Sequence, residues 1–237
     1  MIKVENLTHF FGDLLAVDSV SFEVRAGEIL SLIGPNGAGK TTVLNVLAGI
    51  LLPDSGSVFV NGIDLFKNPA AGKKISAYIP EQPYLWGKLT GLEFLLFTKS
   101  VYESSKSKEE IEGLMSDFGI YDFRNRLIET YSHGMKQKLL FLTIPIIEPR
   151  VILLDEPLVG LDPRASIKIT EMIRVYSARG ASVLISTHVL PFAEEISDKV
   201  AIIDEGRIIL QGETRMLLEN HKTSLSDIFL KETSERN

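Results

Sequence analysis

A glycine-rich segment at residues 34–42 has the residue types and spacing of a loop that cradles phosphate groups. Its glycines let the backbone turn so that successive amide N–H groups face one anion. Lys40 can reach the terminal phosphates, and the hydroxyl of Thr41 can hold Mg²⁺. We therefore predict a nucleoside triphosphate site; the alternative is a glycine-rich turn with a chance lysine. The predicted nucleotide-binding residues of this loop are Gly34, Pro35, Asn36, Gly37, Ala38, Gly39, Lys40, Thr41 and Thr42.

Two adjacent carboxylates, Asp155 and Glu156, follow an aliphatic run at residues 151–154. Such a run is typical of a buried strand in a parallel sheet, and the carboxyl end of such a strand lies beside the phosphate loop. Asp155 is then predicted to hold Mg²⁺, and Glu156 to act as the general base that activates water. The alternative is an exposed acidic turn before Pro157.

Two further segments could contact an anion. His188 follows a predicted strand at residues 181–187, where it could orient the attacking water; the alternative is a histidine without a catalytic role. Ser132 and Gly134 stand at the start of a predicted helix, whose N-terminus can bind an anion. The alternative for Ser132 is a plain N-cap.

The elements that must position these residues follow from hydrophobic periodicity. Antiparallel strands are expected within residues 1–27, and the segment 84–149 is helical in pattern. We expect an α/β fold whose nucleotide-binding core, residues 1–83 and 150–215, is interrupted by that α-helical subdomain. The last fifteen or so residues, within a tail at 216–237, are expected to pack loosely. Further predicted strands are 28–33, 57–60, 75–79, 151–155 and 200–204, and predicted helices are 40–51 and 163–178.

Composition limits the classes of function. The 237 residues include 25 basic and 31 acidic side chains and no cysteine, which gives a formal charge of −6. No basic stripe is visible, so a nucleic-acid-binding surface is not predicted. The absence of cysteine excludes a disulfide framework and thiolate metal sites, and it fits a reducing cytosol. No signal peptide is evident, and the longest apolar run, 139–147, is too short to span a membrane and contains Pro145.

Together these motifs resemble the ATP-binding subunit of ATP-binding cassette (ABC) transporters along nearly the whole chain. Residues 34–42 are similar to the family's Walker A, and 151–156 to its Walker B with the catalytic glutamate. Residues 131–135 occupy the place of the signature motif, and 160–162 resemble the D-loop. His188 stands at the place of the switch histidine. The resemblance implies a P-loop NTPase with a RecA-like core and an N-terminal antiparallel β-subdomain.

The resemblance also implies roles for individual residues. Phe11 is placed where the family stacks an aromatic ring on adenine, and Asp162 belongs to the D-loop near the nucleotide. In the family, two such chains pair head to tail, so that Ser132 and Gly134 of one contact the ATP of the other. The implied catalytic residues are Lys40, Glu156 and His188, and the implied metal-site residues are Thr41, Asp155 and either Glu81 or Gln82.

The chain departs from the family pattern at several positions. His133 and Met135 replace a glycine and a glutamine of the signature, a form that resembles bacterial drug-resistance and Ecs-type exporters. An ungapped alignment places Glu81 at the Q-loop glutamine, although Gln82 could serve instead. Phe11 replaces the commoner tyrosine and should still stack on adenine.

The resemblance implies an ATPase, using ATP and Mg²⁺, that powers an exporter from the cytoplasmic face of the membrane. Its partners would be a transmembrane permease and a second ATP-binding subunit, with a homodimer expected. The aromatic segment 84–89 would receive a short helix of the permease, or else pack into the core. The alternatives are a soluble, non-transport ABC ATPase and a nucleotide-gated module with weak hydrolysis. The sequence does not identify the transported substrate, and import instead of export stays open.

Overall fold

The computed structural model describes residues 1–234 of the chain and places their strands in two sheets. The strands are β1 (Ile2–Phe11), β2 (Leu14–Val24), β3 (Ile29–Ile33), β4 (Ser55–Val60), β5 (Ile63–Asp64), β6 (Ser76–Ile79), β7 (Val151–Asp155), β8 (Ser182–Thr187), β9 (Lys199–Asp204) and β10 (Arg207–Glu213). The helices are α1 (Lys40–Leu47), α2 (Pro69–Lys74), α3 (Gly91–Val101), α4 (Lys108–Asp117), α5 (His133–Phe141), α6 (Thr143–Ile147), α7 (Pro163–Ala178), α8 (Leu190–Ile196), α9 (Thr214–His221) and α10 (Leu225–Ser234).

The larger sheet has the order β10-β9-β3-β8-β7-β6, and all its neighbouring strands are parallel except β10 with β9. Every residue of β3, β7 and β8 is buried, as expected for aliphatic strands covered on both faces. Because parallel strands end at one edge, the loops after β3, β7 and β8 meet there. These loops carry the predicted site residues.

The smaller sheet, with the order β2-β1-β4-β5, is antiparallel, which confirms the expected N-terminal β-subdomain. The buried positions of β2 alternate with exposed ones, because one face of the sheet packs inward. Val17, Val20 and Phe22 join a core cluster that includes α1 and the near face of the parallel sheet. The hairpin between β1 and β2 is thereby fixed above the loop that follows β3.

The helical segment predicted at 84–149 contains α3, α4, α5 and α6. Helices α3 and α4 both begin with capping boxes, Thr90 with Glu93 and Ser107 with Glu110. The predicted bounds of 163–178 are those of α7. The helix predicted at 40–51 ends earlier, at Leu47, because Gly49 adopts a φ of 66° and closes its C-terminus.

The expectation of a loosely packed C-terminus is wrong for the part that the structure describes. Helix α10 packs against α8, and its Leu225 and Ile228 are buried in a third core cluster. The backbone N–H of Leu225 donates to Oε2 of Glu194 at 2.8 Å. Two buried apolar residues thus hold a segment whose sequence is mostly polar. Residues 235–237 of the expected tail lie outside the described residues. Within residues 1–234, no helix combines the length and apolar character needed to cross a bilayer.

Candidate functional site

The loop after β3 curls around the amine of Lys40. Nζ of Lys40 donates to the carbonyl oxygens of Gly34 and Pro35 at 2.8 and 2.9 Å, and the side chain is buried. Burial lowers the pKa of Lys40, while the negative charges of Glu156 and Asp155 oppose that shift. Gly39 has a φ of 99°, and a Cβ there would lie 2.5 Å from the carbonyl oxygen of Ala16. The backbone of the loop therefore packs closely against β2, and the loop encloses the Lys40 amine.

A pocket of about 640 Å³ opens beside this loop. One end is lined by apolar side chains of the β1–β2 hairpin and the other by charged and hydroxyl groups. The lining therefore combines apolar side chains with charged and hydroxyl groups, as a nucleotide with a base and a phosphate chain requires. Its lining residues are Phe11, Leu14, Leu15, Ala16, Asn36, Gly37, Gly39, Lys40, Thr41, Thr42, Glu81, Asp155, Glu156, Glu205 and Gly206.

Asp155 and Glu156 are both buried, so the alternative of an exposed acidic turn is wrong. Asp155 lies opposite Ser186 in the β7–β8 ladder, and the hydroxyl of Ser186 donates to its carboxylate. Thr41 and Asp155 line the same pocket, and their oxygens are the donors that Mg²⁺ prefers. This donor set fits a magnesium ion that also binds nucleotide phosphates.

Glu156 is held at the edge of the pocket by its neighbours on β8. Its Oε2 accepts a hydrogen bond from the hydroxyl of Thr187 at 3.1 Å, and its Oε1 lies 2.8 Å from Nδ1 of His188. Its backbone N–H donates to the carbonyl oxygen of Ser186 at 3.0 Å, and its φ of 46° is unusual for a residue other than glycine. The structure thus brings together all three predicted catalytic residues, since Lys40 and Glu156 share the pocket and His188 contacts Glu156.

The two Q-loop candidates occupy neighbouring positions. Glu81 lines the nucleotide-sized pocket together with Lys40 and Asp155. Gln82 lines an adjacent cavity of about 610 Å³, which Glu81 and Asp155 also border. Burial raises the pKa of Tyr78 in this cavity, and the charges of Asp155 and Glu81 add to the effect. Glu81 therefore lies at both cavities, and the choice between Glu81 and Gln82 stays a prediction.

Phe11 is half exposed at the apolar end of the pocket. Its ring meets that of His9 edge to face, with centroids 4.7 Å apart and an interplanar angle of 89°. Asp54 lies behind His9, with 3.2 Å between its Oδ2 and Nδ1 of His9. The arrangement leaves ring surface of Phe11 open to the pocket, and stacking on adenine stays a prediction.

Ser132, Gly134 and Asp162 are absent from the pocket's lining within residues 1–234. Ser132 is the N-cap of α5, and its Oγ accepts from the backbone N–H of Met135 at 3.2 Å. Asp162 is the N-cap of α7, where its Oδ1 accepts from the backbone N–H of Ala165, and its Oδ2 pairs with Lys138. In the single chain Ser132 therefore acts as a cap, and contact of these three residues with a nucleotide stays a prediction.

Several pocket residues escaped the sequence analysis. Leu14 and Leu15 complete the apolar end, and their only signal was their position just after the hairpin turn at Gly12. Glu205 and Gly206, in the turn between β9 and β10, reach the pocket because the carbonyl of Gly206 accepts from the backbone N–H of Asp18. That contact joins residues far apart in the chain, so no local sequence pattern predicts it.

The model of the family described as "ABC transporter" matches residues 17–159. The ABC-type transporter ATP-binding protein EcsA of Bacillus subtilis (strain 168) is 33% identical over 99% of this chain and 97% of its own length. The daunorubicin/doxorubicin resistance ATP-binding protein DrrA of Streptomyces peucetius is 33% identical over 97% of this chain and 69% of its own. A solved structure of an ATP-binding subunit of an ABC transporter superposes with a TM-score of 0.91, at 31% identity, covering 98% and 99% of the two chains.

These similarities confirm the resemblance to drug-resistance and Ecs-type proteins and the α/β P-loop fold inferred from the motifs. The geometry of the site is consistent with this family, because the phosphate loop, the buried carboxylates and the histidine lie at one edge of the sheet. The chain belongs to the ABC transporter family, as one of its ATP-binding ATPase subunits.

Proposed function

We propose that this chain hydrolyses Mg²⁺–ATP in a head-to-tail dimer and thereby powers a membrane exporter from the cytoplasmic face. The observation that carries the hydrolytic part is the position of Glu156. Its carboxylate is buried at the pocket, oriented by Thr187 on one oxygen and His188 on the other. A carboxylate fixed in this way beside a phosphate site is suited to activating a water molecule.

Each functional side chain of the pocket has a separate role in hydrolysis. Lys40 exchanges its carbonyl partners for the terminal phosphates, whose charge favours the cationic amine. Glu156 accepts the proton of the water that attacks the γ-phosphorus, and His188 orients the carboxylate. The bond from the γ-phosphorus to the β–γ bridging oxygen breaks, ADP leaves with that oxygen, and the transferred group becomes inorganic phosphate. Thr41 and Asp155 would hold Mg²⁺, which supplies positive charge that offsets the charge on the phosphates.

The dimer is proposed because one chain supplies only part of the phosphate contacts. The N-terminus of α5 carries Ser132 and Gly134 at a helix end that favours anions, yet both lie outside the chain's own pocket. A second copy placed head to tail would bring this end onto the γ-phosphate. ATP would then stabilise the closed pair, since it would contact both chains only in that state.

A membrane subunit is proposed as the partner of an exposed aromatic cluster. Tyr84 and Trp86 are 84% and 58% exposed, and Trp86 meets Phe97 edge to face with centroids 5.0 Å apart. Packing into the core accounts for Leu85 and Leu89, which contact it, but not for these exposed rings. Exposed aromatic side chains are typical anchors of protein interfaces. Export is favoured over import by the signature form and by the resistance function named for DrrA.

The test compares the wild-type chain with Glu156→Gln. We expect the wild type to hydrolyse ATP and the variant to lose most of that activity while binding ATP and forming a stable dimer, seen by light scattering with ATP and Mg²⁺. Unchanged hydrolysis in the variant would contradict the role of Glu156. A wild-type chain that dimerises with ATP but barely hydrolyses it would favour the nucleotide-gated module. Salt-sensitive binding to DNA or ribosomes, without membrane association, would favour the soluble ABC ATPase.

A further inference from the structure

His9, near the end of β1, is a buried imidazole that the proposed hydrolysis does not use. The residue is 8% exposed, and within residues 1–234 neither of its ring nitrogens makes a well-aligned hydrogen bond. Its Nδ1 lies 3.2 Å from Oδ2 of Asp54. Burial of a polar ring in this way costs free energy, because hydrogen bonds with water are lost and not fully replaced. Such a side chain calls for a role other than filling the core.

Asp54, just before β4, ties the end of β1 on both sides of His9. Its backbone N–H donates to the carbonyl oxygen of Thr8 at 2.9 Å, and its Oδ2 accepts from the backbone N–H of Phe10 at 2.8 Å. The same Oδ2 is the atom beside Nδ1 of His9. The backbone that carries His9 is therefore fixed by hydrogen bonds to a segment outside the β1–β2 hairpin.

The pairing of β1 with β2 is irregular where His9 stands. The register shifts between Leu7 and His9, and again between His9 and Phe10. Bulges of this kind bend a strand and re-aim its side chains. Here the rings of His9 and Phe11 meet edge to face, with centroids 4.7 Å apart. Such pairs of rings attract each other beyond the effect of the area that they bury.

Phe11 is 50% exposed and lines the nucleotide-sized pocket, whereas His9 is absent from the lining that residues 1–234 form. A half-exposed phenyl ring without a fixed neighbour populates several rotamers. A ligand that stacks on such a ring binds more weakly, because the ring must first be ordered. Contact with a buried imidazole on a fixed backbone removes that cost before the ligand arrives. His9 can therefore influence a ligand of the pocket through Phe11.

We propose that His9 is a positioning residue, whose imidazole holds the ring of Phe11 in the orientation that stacks on the base of a bound nucleotide. This inference rests on the proposed ATP site and on the stacking of adenine on Phe11. His9 then acts on the base alone and leaves the phosphate contacts of Lys40 and Thr41 unchanged. Binding depends on His9 only where the ligand carries a base.

The first test compares the binding of ADP with that of pyrophosphate, which has two linked phosphates and no nucleoside. We expect the Kd of His9→Ala for ADP to rise roughly fivefold, which is part of what a stacked base contributes. Its Kd for pyrophosphate should stay within twofold of the wild type, which also shows that the variant is folded. His9→Phe keeps a ring at this position and should bind ADP within twofold of the wild type. Isothermal titration calorimetry measures both ligands, and a loss in His9→Phe equal to that in His9→Ala would overturn the proposal.

The matched control is Val4→Ala. Val4 is another buried residue of β1, 2% exposed and seven residues before Phe11 along the strand. The variant therefore weakens the packing of the same strand away from the pocket, and its Kd for ADP should stay within twofold of the wild type. An equal loss of ADP binding in Val4→Ala and His9→Ala would mean a general loosening of the β-subdomain, and the proposal would be wrong.

A double-mutant cycle completes the test. Phe11→Ala alone should weaken ADP binding roughly tenfold. Adding His9→Ala to it should change the Kd less than twofold further, because His9 acts through the ring that is already removed. Additive losses, or a His9→Ala variant with the wild-type Kd for ADP, would overturn the proposal.

The failure of this inference can be told from the failure of the proposed function. ADP binding needs neither hydrolysis nor a second chain, so a wild type that binds ADP but does not hydrolyse ATP would refute the proposed function alone. Hydrolysis by the wild type, together with unchanged ADP binding in His9→Ala, would refute the role of His9 alone. A Phe11→Ala variant that binds ADP as the wild type does would refute the stacking on Phe11 and, with it, the role of His9.

Discussion

Oε1 of Glu156 lies 2.8 Å from Nδ1 of His188, so a buried carboxylate and an exposed imidazole are joined at the edge of the pocket. The second oxygen is held by the hydroxyl of Thr187, which also accepts from the backbone N–H of Val189. Protein groups therefore contact both oxygens of the carboxylate. Its orientation is set by the end of β8, a strand that pairs with β7 from Ser182 to Ser186.

Replacing His188 with alanine removes one of the two groups that orient Glu156. We expect kcat to fall roughly 10²-fold or more, the size of effect that positioned acid–base groups contribute, with ATP affinity changed little. Steady-state hydrolysis and equilibrium nucleotide binding check the two parts. His221→Ala, at the end of α9, is the control and should leave kcat unchanged. A His188→Ala variant with wild-type kcat would show that Thr187 alone orients the carboxylate.

Replacing Phe11 with alanine should weaken ATP binding roughly tenfold, because base–aromatic stacking contributes about 1–3 kcal/mol per base. Binding of inorganic tripolyphosphate, which has no base, should be unaffected, and Phe11→Tyr should bind ATP as the wild type does. Phe10→Ala is the control, since Phe10 is similarly exposed but does not line the pocket. Isothermal titration calorimetry measures the binding of ATP and of tripolyphosphate to the wild type and to the variants. An equal loss for ATP and tripolyphosphate would mean that Phe11 supports the loop and not the base.

The phosphate loop, the carboxylate pair and His188 were predictable because each lies within a short pattern at the end of a buried aliphatic strand. A parallel sheet then gathers such ends at one edge, whatever the details of packing. The bounds of α7 were equally predictable, since Asp162 and Pro163 mark its start and Gly180 follows its end.

The remaining features depend on contacts between distant parts of the chain. The packing of α10 on α8 arises from two buried residues, Leu225 and Ile228, in a polar segment whose composition alone favours exposure. The ion pair of Lys138 with Asp162 joins two helices that are separated in the sequence, and no sequence pattern around either residue predicts this contact. Side-chain rotamers and close backbone approach decide such contacts, and periodicity does not encode them.

Acidification should distinguish the wild type from Lys138→Met. The pKa of Asp162 is lower in the folded chain than its ordinary value of 3.8, mainly because of Lys138. The unfolded chain therefore binds more protons in this range, and the pair's stabilisation is present at neutral pH and lost as pH falls through the folded pKa. The difference in free energy of unfolding, at most about 1 kcal/mol for such a pair, should shrink between pH 7 and pH 3.5. Urea unfolding at the two pH values measures it, and a difference that grows on acidification would contradict the assignment.

Replacing Trp86 with serine should reduce recovery of the chain with membranes from cells that also contain the proposed permease. The reason is that an exposed aromatic anchor near the centre of an interface commonly contributes about 2 kcal/mol or more to binding. ATP binding by the purified variant should be retained, because Trp86 does not line the nucleotide pocket. The control is Ile167→Ser, which replaces a similarly exposed apolar residue on α7 and should leave the chain in the membrane fraction. Equal membrane recovery of Trp86→Ser and the wild type would mean that the proposed permease does not bind at Trp86.

Two glycines should respond oppositely to alanine. Gly160→Ala places a Cβ 2.5 Å from the ring of His133 at a φ of 75°, so it should destabilise the fold by about 1–3 kcal/mol. Gly113→Ala, within α4, meets nothing within 4 Å and should stabilise by about 0.5–1 kcal/mol, because alanine favours the helix. Urea unfolding compares both with the wild type. His133→Ala combined with Gly160→Ala removes the ring but keeps the strained φ, so it should recover only part of the loss. Full recovery would mean that the ring alone requires glycine at position 160, and no recovery would mean that the backbone conformation does.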